Sequence, residues 1–155
     1  MFKLFSYRIF FAVMTIAMSS FVFASQETAT DENGVILAGH DAVAYFTEGK
    51  PVLGSAEFTA IHKGAIYRFS SAENRDLFKH EPERFEPAYG GYCALGATMG
   101  ETFKVDGKAF EIVDGKLYVN RDKEVYDVWK MNIPQNLLAA DSEWPEIQFV
   151  AVNNL

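Results

Sequence analysis

Residues 57–80 read EFTAIHKGAIYRFSSAENRDLFKH and contain a predicted β-hairpin followed by a predicted helix. The runs Glu57–His62 and Ala65–Phe69 are bounded by turn-forming residues and contain β-branched and aromatic side chains. Lys63-Gly64 between the two runs is typical of a short turn. The pattern therefore predicts two antiparallel strands joined at this dipeptide.

A helix is predicted directly after the hairpin. Ser70 and Glu73 have the spacing of a capping box, which indicates a helix N-terminus. Pro82 cannot continue a helix, so we expect this helix to end near His80.

A second hairpin is predicted further along the chain. The runs AFEIV (109–113) and KLYVN (116–120) flank Asp114-Gly115, which is a strong signal for a tight hairpin turn. Asn120 is predicted to cap a following helix. That helix would bury one face carrying Val125, Val128, Trp129 and Ile133.

Three further short elements complete the predicted architecture. FKV (103–105) is predicted to form a strand, and YCALGATM (92–99) is long enough for two helical turns. A last helix is predicted from Pro134 to about Trp144-Pro145. Hairpins mixed with helices, without a βαβ rhythm, predict a small single α+β domain of short antiparallel hairpins packed with several short helices. No internal repeat is evident from the letters of the sequence.

The N-terminus has the pattern of a secretory signal peptide. Residues 1–24 combine Lys3 and Arg8, an apolar run, and Val22 and Ala24 at the −3 and −1 positions of a cleavage site. We therefore expect export, with the bacterial periplasm as the location. The predicted organisation is a signal peptide (1–24), a flexible leader (25–34), a folded domain (35–148) and a C-terminal tail (149–155).

The charge of the chain excludes some partners. Cleavage after residue 24 removes two basic residues and no acidic residue, so the net charge falls from −7 to −9. Nucleic acids and anionic membrane surfaces require a positive face. We expect neither nucleic acid nor, after signal cleavage, a membrane as partner.

Cys93 in YGGYCALG (89–96) is the only cysteine of the chain. It could be a buried apolar group, a metal ligand or a reactive thiol, and the residues alone leave all three open. Met99 follows six residues later, near enough on one short helix to share a site with Cys93. A lone exposed thiol in an oxidising compartment would tend to oxidise or to pair with another chain.

The three histidines are not arranged as a metal motif. His40, His62 and His80 show neither HxH nor HxxxH spacing. His62 is predicted in the hairpin turn and His80 at a helix C-terminus, where a partly protonated imidazole is favourable. His40 adjoins Asp41, for which a turn-capping role is predicted.

These stretches resemble exported proteins that carry a YHS domain. The resemblance rests on GHDAVAYF (39–46), FSSAENR (69–75), YGGYCA (89–94) and DGKLYVN (114–120), and it runs from about Leu37 to Pro145. The related metal-binding YHS and TRASH-type domains carry cysteines at positions that fall here on Ala44, Ser70 and Asn74. The resemblance therefore implies that the standard thiolate site is absent from this chain.

Three classes of function follow from these observations. The first is a non-catalytic exported YHS-type domain that binds a transition-metal ion, copper or zinc, through Cys93 with His40 and Asp41 as helpers. The second is a metal-free module that binds a protein or a small ligand. The third is a thiol redox enzyme based on Cys93, which would need a resolving thiol and a nearby base.

Overall fold

The computed structural model describes residues 26–150 and forms an α+β domain, as predicted. The predicted signal peptide (1–24) lies outside the described residues, as do residues 151–155 of the predicted tail. No helix within residues 26–150 is long and apolar enough to cross a membrane.

Two antiparallel hairpins alternate with short helices along the chain. The strands are β1 (Ser55–His62), β2 (Ala65–Phe69), β3 (Phe110–Val113) and β4 (Lys116–Val119). The helices are α1 (Ala44–Thr47), α2 (Ala72–His80), α3 (Pro82–Phe85), α4 (Ala94–Ala97), α5 (Lys123–Trp129) and α6 (Ile133–Ile147), and short 3-10 turns cover Leu37–Gly39, Ala88–Gly91 and Lys130–Asn132.

Both predicted hairpins are confirmed, with the turn dipeptides at the predicted places. β1 pairs with β2 and β3 pairs with β4, each antiparallel. Both residues of Lys63-Gly64 and of Asp114-Gly115 have positive φ angles, between 47° and 80°. Two positive φ angles in a two-residue loop match the right-handed twist of the flanking strands, which explains why each loop ends in glycine.

Two predicted helix caps are wrong by one or two residues. α2 is capped by Ser71, whose hydroxyl accepts a hydrogen bond from the amide of Asn74 at 3.1 Å. α5 is capped by Asp122, whose carboxylate accepts from the amide of Val125 at 2.9 Å. The predicted caps, Ser70 and Asn120, instead make contacts with distant parts of the chain.

The segment 26–34, expected to be a flexible leader, is hydrogen-bonded to the domain. The amide of Glu27 donates to the carbonyl of Gln148 at 2.8 Å, and the amide of Ala29 donates to that of Gly90 at 2.9 Å. Ala29 is buried. This part of the predicted leader belongs to the fold because its backbone groups find partners there.

Three further elements also differ from the prediction. Residues 103–105 form no strand, although the carbonyl of Phe103 accepts a hydrogen bond from the amide of Cys93 at 3.0 Å. Helix α4 covers only Ala94–Ala97 instead of two turns. Helix α6 continues through Pro145 to Ile147, beyond its predicted end.

The buried carboxylate of Asp41 joins two distant segments. Its Oδ1 accepts hydrogen bonds from the amides of Val43 (2.9 Å) and Ala44 (3.2 Å). Its Oδ2 accepts from the amide and the hydroxyl of Ser70 (2.8 and 2.7 Å) and from Nδ2 of Asn74 (2.8 Å). Five donors therefore fix the start of α1 against the strand-to-helix turn at the end of β2.

The described chain contains the same structural unit twice. Residues 35–78, the first unit, and residues 87–129, the second unit, each begin with three residues of positive φ, Leu37–Gly39 and Tyr89–Gly91. A parallel bridge joins Val35 to Ile66 in the first unit and Pro87 to Leu117 in the second. A short helix, a hairpin and a capped helix follow in each.

The cores of the two units correspond as well. Ser71 and Asp122 cap the equivalent helices α2 and α5. In the first unit the ring of Tyr67 packs on Phe78, with an angle of 34° between the planes. In the second, Tyr118 packs on Trp129 at 31°. The shift between equivalent residues is 52 before the hairpin and 51 after it, so Cys93 is the counterpart of Asp41.

The hydrogen bonds of Asp41 generate a prediction about stability. In Asp41→Asn one oxygen becomes an NH₂ group, and either orientation of the amide then directs a donor at other donors. We expect the free energy of unfolding to fall by about 3–5 kcal/mol, as when one partner of a buried charged network is removed.

The measurement is urea denaturation followed by circular dichroism. Asp76→Asn is the matched control, because Asp76 lies on the surface and pairs only with its neighbour Arg75. That control should cost less than about 0.5 kcal/mol. Equal effects of the two substitutions would contradict the central role of Asp41.

Candidate ligand site at Cys93

Cys93 lies at the entry to α4 and is buried, with 1% of its surface exposed. Its Sγ accepts a hydrogen bond from the amide of Gly96 at 3.5 Å. The thiol faces Oδ1 of Asn120 at 3.6 Å. Both contacts are longer than the 2.7–3.2 Å hydrogen bonds of the Asp41 carboxylate, as expected for the larger sulfur atom.

Asn120 follows β4 and presents its carboxamide to Cys93. The side chain is completely buried, and its Oδ1 also accepts from the amide of Leu95 at 3.1 Å. This hydrogen bond fixes which end of the amide is oxygen. Its Nδ2 has no hydrogen-bond partner among the described residues. A buried unpaired donor costs about 1–3 kcal/mol, so this atom requires an explanation.

Beside Cys93 there is a cavity of about 130 Å³, which we call the Cys93 cavity. Its walls are mainly apolar, with one thiol, one thioether and one cation. They consist of Cys93, Leu95, Gly96, Met99, Phe103, Arg121 and Val125. Met99 is 63% exposed, so solvent reaches this wall of the cavity.

Arg121 supplies the cationic wall of the Cys93 cavity. Its Nε donates to a carboxylate oxygen of Asp122 at 2.7 Å, and its guanidinium lies 5.9 Å from the centre of the Phe103 ring. The pKa of Arg121 is raised above its ordinary value, chiefly by the hydrogen bond and charge of Asp122 and less strongly by a negative charge at Cys93. Arg121 therefore places a positive charge in the wall of the cavity that Cys93 also lines.

The predicted helper ligands His40 and Asp41 are both engaged in contacts within the fold. Nδ1 of His40 lies 3.0 Å from the carbonyl oxygen of Leu37, and Gly107 covers that side of the ring. Both oxygens of Asp41 are occupied by the five hydrogen bonds described above. Asp41 caps the turn that precedes α1, as predicted.

The predicted metal site of Cys93, His40 and Asp41 is not formed. Within residues 26–150, no three His, Cys, Asp or Glu side chains are grouped so that they could hold a metal ion. The physical reason is that Asp41 belongs to the first unit and Cys93 takes the equivalent place in the second. The two residues therefore serve two separate turns.

The other two histidines, His62 and His80, lie at the ends of β1 and α2. Nε2 of His62 lies 2.8 Å from a carboxylate oxygen of Glu86, so this side chain is more enclosed than a free loop histidine. His80 is the last residue of α2, as predicted.

The sequence analysis identified two of the groups at this site and missed two others. Cys93 and Met99 share the Cys93 cavity, as their spacing indicated. Arg121 and Asn120 were missed because the helix cap was assigned to Asn120. Comparison of the two units, position by position, would have pointed to Arg121, the counterpart of Ser70.

The chain matches no protein-family model, no curated protein and no solved structure. The resemblance to YHS domains therefore stays a prediction.

The packing of Gly107 against His40 generates a prediction about this part of the fold. A Cβ at position 107 would overlap Nδ1 of His40 and the carbonyl oxygen of Leu37. Gly115 has the same φ of 76° but has no atom within 4 Å of such a Cβ. Gly115→Ala is therefore the matched control for backbone strain.

We expect Gly115→Ala to lower the free energy of unfolding by about 1–2 kcal/mol, the cost of a left-handed conformation for alanine. Gly107→Ala should cost at least about 2 kcal/mol more because the overlap adds to this strain. Chemical denaturation of the two variants checks the difference. Equal losses would show that His40 is free to move away.

Proposed function

We propose that this protein is an exported, non-catalytic YHS-type domain that binds copper(I) through Cys93 and Met99. The observation that carries the proposal is that both sulfur atoms belong to residues lining one cavity. Thiolate and thioether are the soft ligands that select copper(I) among biological metal ions. His40 and Asp41 have no part in this site.

Copper(I) fits the residues at the Cys93 cavity better than zinc does. Structural zinc sites use four nitrogen, sulfur or oxygen ligands in a tetrahedral arrangement. The cavity offers one cysteine, and its remaining walls contain no histidine or carboxylate. Copper(I) accepts a lower number of soft ligands, so one thiolate and one thioether are a reasonable set.

The charge of Arg121 is compatible with this metal. A cation alone would be repelled by the guanidinium that lines the cavity. One thiolate and one copper(I) ion have no net charge together, so the repulsion is largely cancelled. A divalent ion at the same thiolate would keep a positive charge and would face Arg121 at a cost.

The surroundings of Cys93 favour binding over catalysis. The polar groups that contact Sγ are the amide of Gly96 and the carboxamide of Asn120. Neither group takes up a proton near neutral pH, whereas thiol catalysis requires a base that activates the nucleophile. We therefore place the redox-enzyme hypothesis last.

A metal-free ligand module is the second candidate, and Arg121 is the observation that favours it. An apolar cavity with a single cation suits a small organic anion. A volume of about 130 Å³ is close to that of an engineered cavity that binds benzene, so the anion would be small. A protein that takes up no copper(I) would favour this candidate.

The test of the copper proposal is uptake of copper(I) under anaerobic conditions, in competition with a chromogenic chelator. The protein should bind one copper(I) per chain. Cys93→Ser should abolish uptake because it replaces the thiolate by a hard, neutral oxygen.

Two methionine variants form a matched pair in the same experiment. Met99→Leu should weaken binding at least about tenfold because it removes the second soft ligand. Met131→Leu should leave binding unchanged, since Met131 is 81% exposed and is not among the residues lining the Cys93 cavity. Unchanged uptake by Cys93→Ser, or equal losses in the two methionine variants, would reject this site.

A further inference from the structure

The Cys93 cavity is built from the counterparts of the residues that surround the Asp41 carboxylate. In the first unit the hydrogen bonds join Asp41 to Val43, Ala44, Ser70 and Asn74. In the second unit the equivalent positions are Cys93, Leu95, Gly96, Arg121 and Val125, and all five line the Cys93 cavity. We call this part of the repeated unit its corner. The Asp41 carboxylate fills the corner of the first unit, and the Cys93 cavity forms the corner of the second.

The side chains at the centres of the two corners, Asp41 and Cys93, differ by two oxygen atoms. The Sγ of a cysteine occupies the place along the side chain that Cγ occupies in aspartate, and the carboxylate oxygens have no counterpart on a reduced thiol. In the first unit those oxygens receive five hydrogen bonds. In the second unit Ser70, which donates two of them, is replaced by Arg121, a cation that carries several donors.

An independent observation at the same place also indicates a missing acceptor. Nδ2 of Asn120 is completely buried and has no partner among the described residues. It belongs to the carboxamide whose Oδ1 lies 3.6 Å from Sγ of Cys93. This unpaired donor therefore belongs to a buried group that contacts the sulfur through its oxygen.

We propose that Cys93 is a modification site at which hydrogen peroxide oxidises the thiol to a sulfinate, and that Arg121 and Asn120 hold the sulfinate oxygens. A sulfinate carries two oxygens on one central atom and one negative charge, as the Asp41 carboxylate does. The modified second unit would therefore reproduce the buried acceptor of the first.

Each step of this oxidation consumes one peroxide molecule. The sulfur of Cys93 attacks one peroxide oxygen, the O–O bond breaks, and an S–O bond forms. The sulfur loses two electrons, and the departing hydroxide takes the thiol proton to become water. A second peroxide converts the sulfenic acid to sulfinic acid and another water, and the sulfinic acid releases its proton.

Hydrogen bonds from Arg121 would stabilise the sulfinate, which is the product at which we expect the oxidation to end. Charge-assisted hydrogen bonds from a guanidinium to an oxyanion are roughly twice as strong as neutral ones. The bond between Arg121 and Asp122 uses Nε, so the terminal nitrogens retain donors for the new oxygens. The inference does not rest on copper binding, since peroxide reacts with the metal-free sulfur.

The experiment treats the purified, chelator-stripped protein with hydrogen peroxide and follows it by intact mass and peptide mapping. Met99 is the internal standard because it is largely exposed and its thioether oxidises to the sulfoxide. We expect the Cys93 peptide to gain two oxygen atoms and no third. The melting temperature of the oxidised protein should equal or exceed that of the reduced protein, because buried donors gain acceptors.

Two arginine variants separate the role of Arg121 from a general effect of charge. Arg121→Gln should slow sulfinate formation by about tenfold, as expected for the loss of one charge-assisted hydrogen bond. Oxidation should then lower the melting temperature of this variant. Arg75→Gln is the matched control, because Arg75 also donates its Nε to the next residue, Asp76, at 2.8 Å. That control should behave as the parent protein.

Three outcomes would overturn the proposal. Cys93 that stays reduced after Met99 has been converted would show that peroxide does not reach the sulfur. Formation of the sulfinate at the same rate in Arg121→Gln and Arg75→Gln would remove Arg121 from the site. A lower melting temperature of the oxidised parent protein would show that the oxygens find no donors.

A substitution tests the geometry without peroxide. Cys93→Asp places a carboxylate where the sulfinate would form, and we expect it to fold with a melting temperature close to that of the parent. The double change Cys93→Asp with Arg121→Gln should lower the melting temperature clearly. A single variant that is as unstable as the double one, or that does not fold, would contradict the proposed fit.

Discussion

The carboxylate of Asp41 is completely buried, and five hydrogen bonds compensate for its removal from water. A buried charge without partners costs several kcal/mol, so this site tolerates the carboxylate only when both of its segments are in place. The segments are the turn before α1 and the turn after β2, which are 29 residues apart at Asp41 and Ser70. Their correct association is therefore coupled to the burial of one side chain.

The same constraint accounts for the serine and asparagine that face this carboxylate. Ala44, Ser70 and Asn74 all donate a hydrogen bond to Asp41 from the backbone or the side chain. The corner of the first unit is a structural element that is complete without a ligand.

The local elements could be predicted from the sequence, whereas contacts between distant residues could not. The two turn dipeptides, Lys63-Gly64 and Asp114-Gly115, fixed both hairpins because a loop with two positive φ angles has few possible sequences. The caps were misassigned because Ser70 and Ser71 are equally good caps in isolation, and only the partner Asp41 decides between them.

The internal duplication escaped the sequence analysis because equivalent positions share chemistry more often than identity. Phe78 corresponds to Trp129 as a buried aromatic residue, and Ser71 corresponds to Asp122 as a cap. Backbone angles, bridges and ring packing make the equivalence clear, and none of them can be read from single letters. The same comparison identifies Arg121, the counterpart of Ser70, as a site residue, which composition and spacing did not single out.

The two units carry different side chains at one equivalent position, Asp41 in the first and Cys93 in the second. In the first, five donors meet the two carboxylate oxygens of Asp41. In the second, Cys93 lies beside a cavity bordered by a cation and a thioether, and the carboxamide of Asn120, which has an unpaired donor, contacts the sulfur. The unpaired donor lies in the second unit, and the hydrogen bonds of Asp41 in the first unit do not involve it. Since an unpaired buried donor lowers stability, the open corner around Cys93 is the part of the domain whose composition is better explained by a ligand or a modification than by folding.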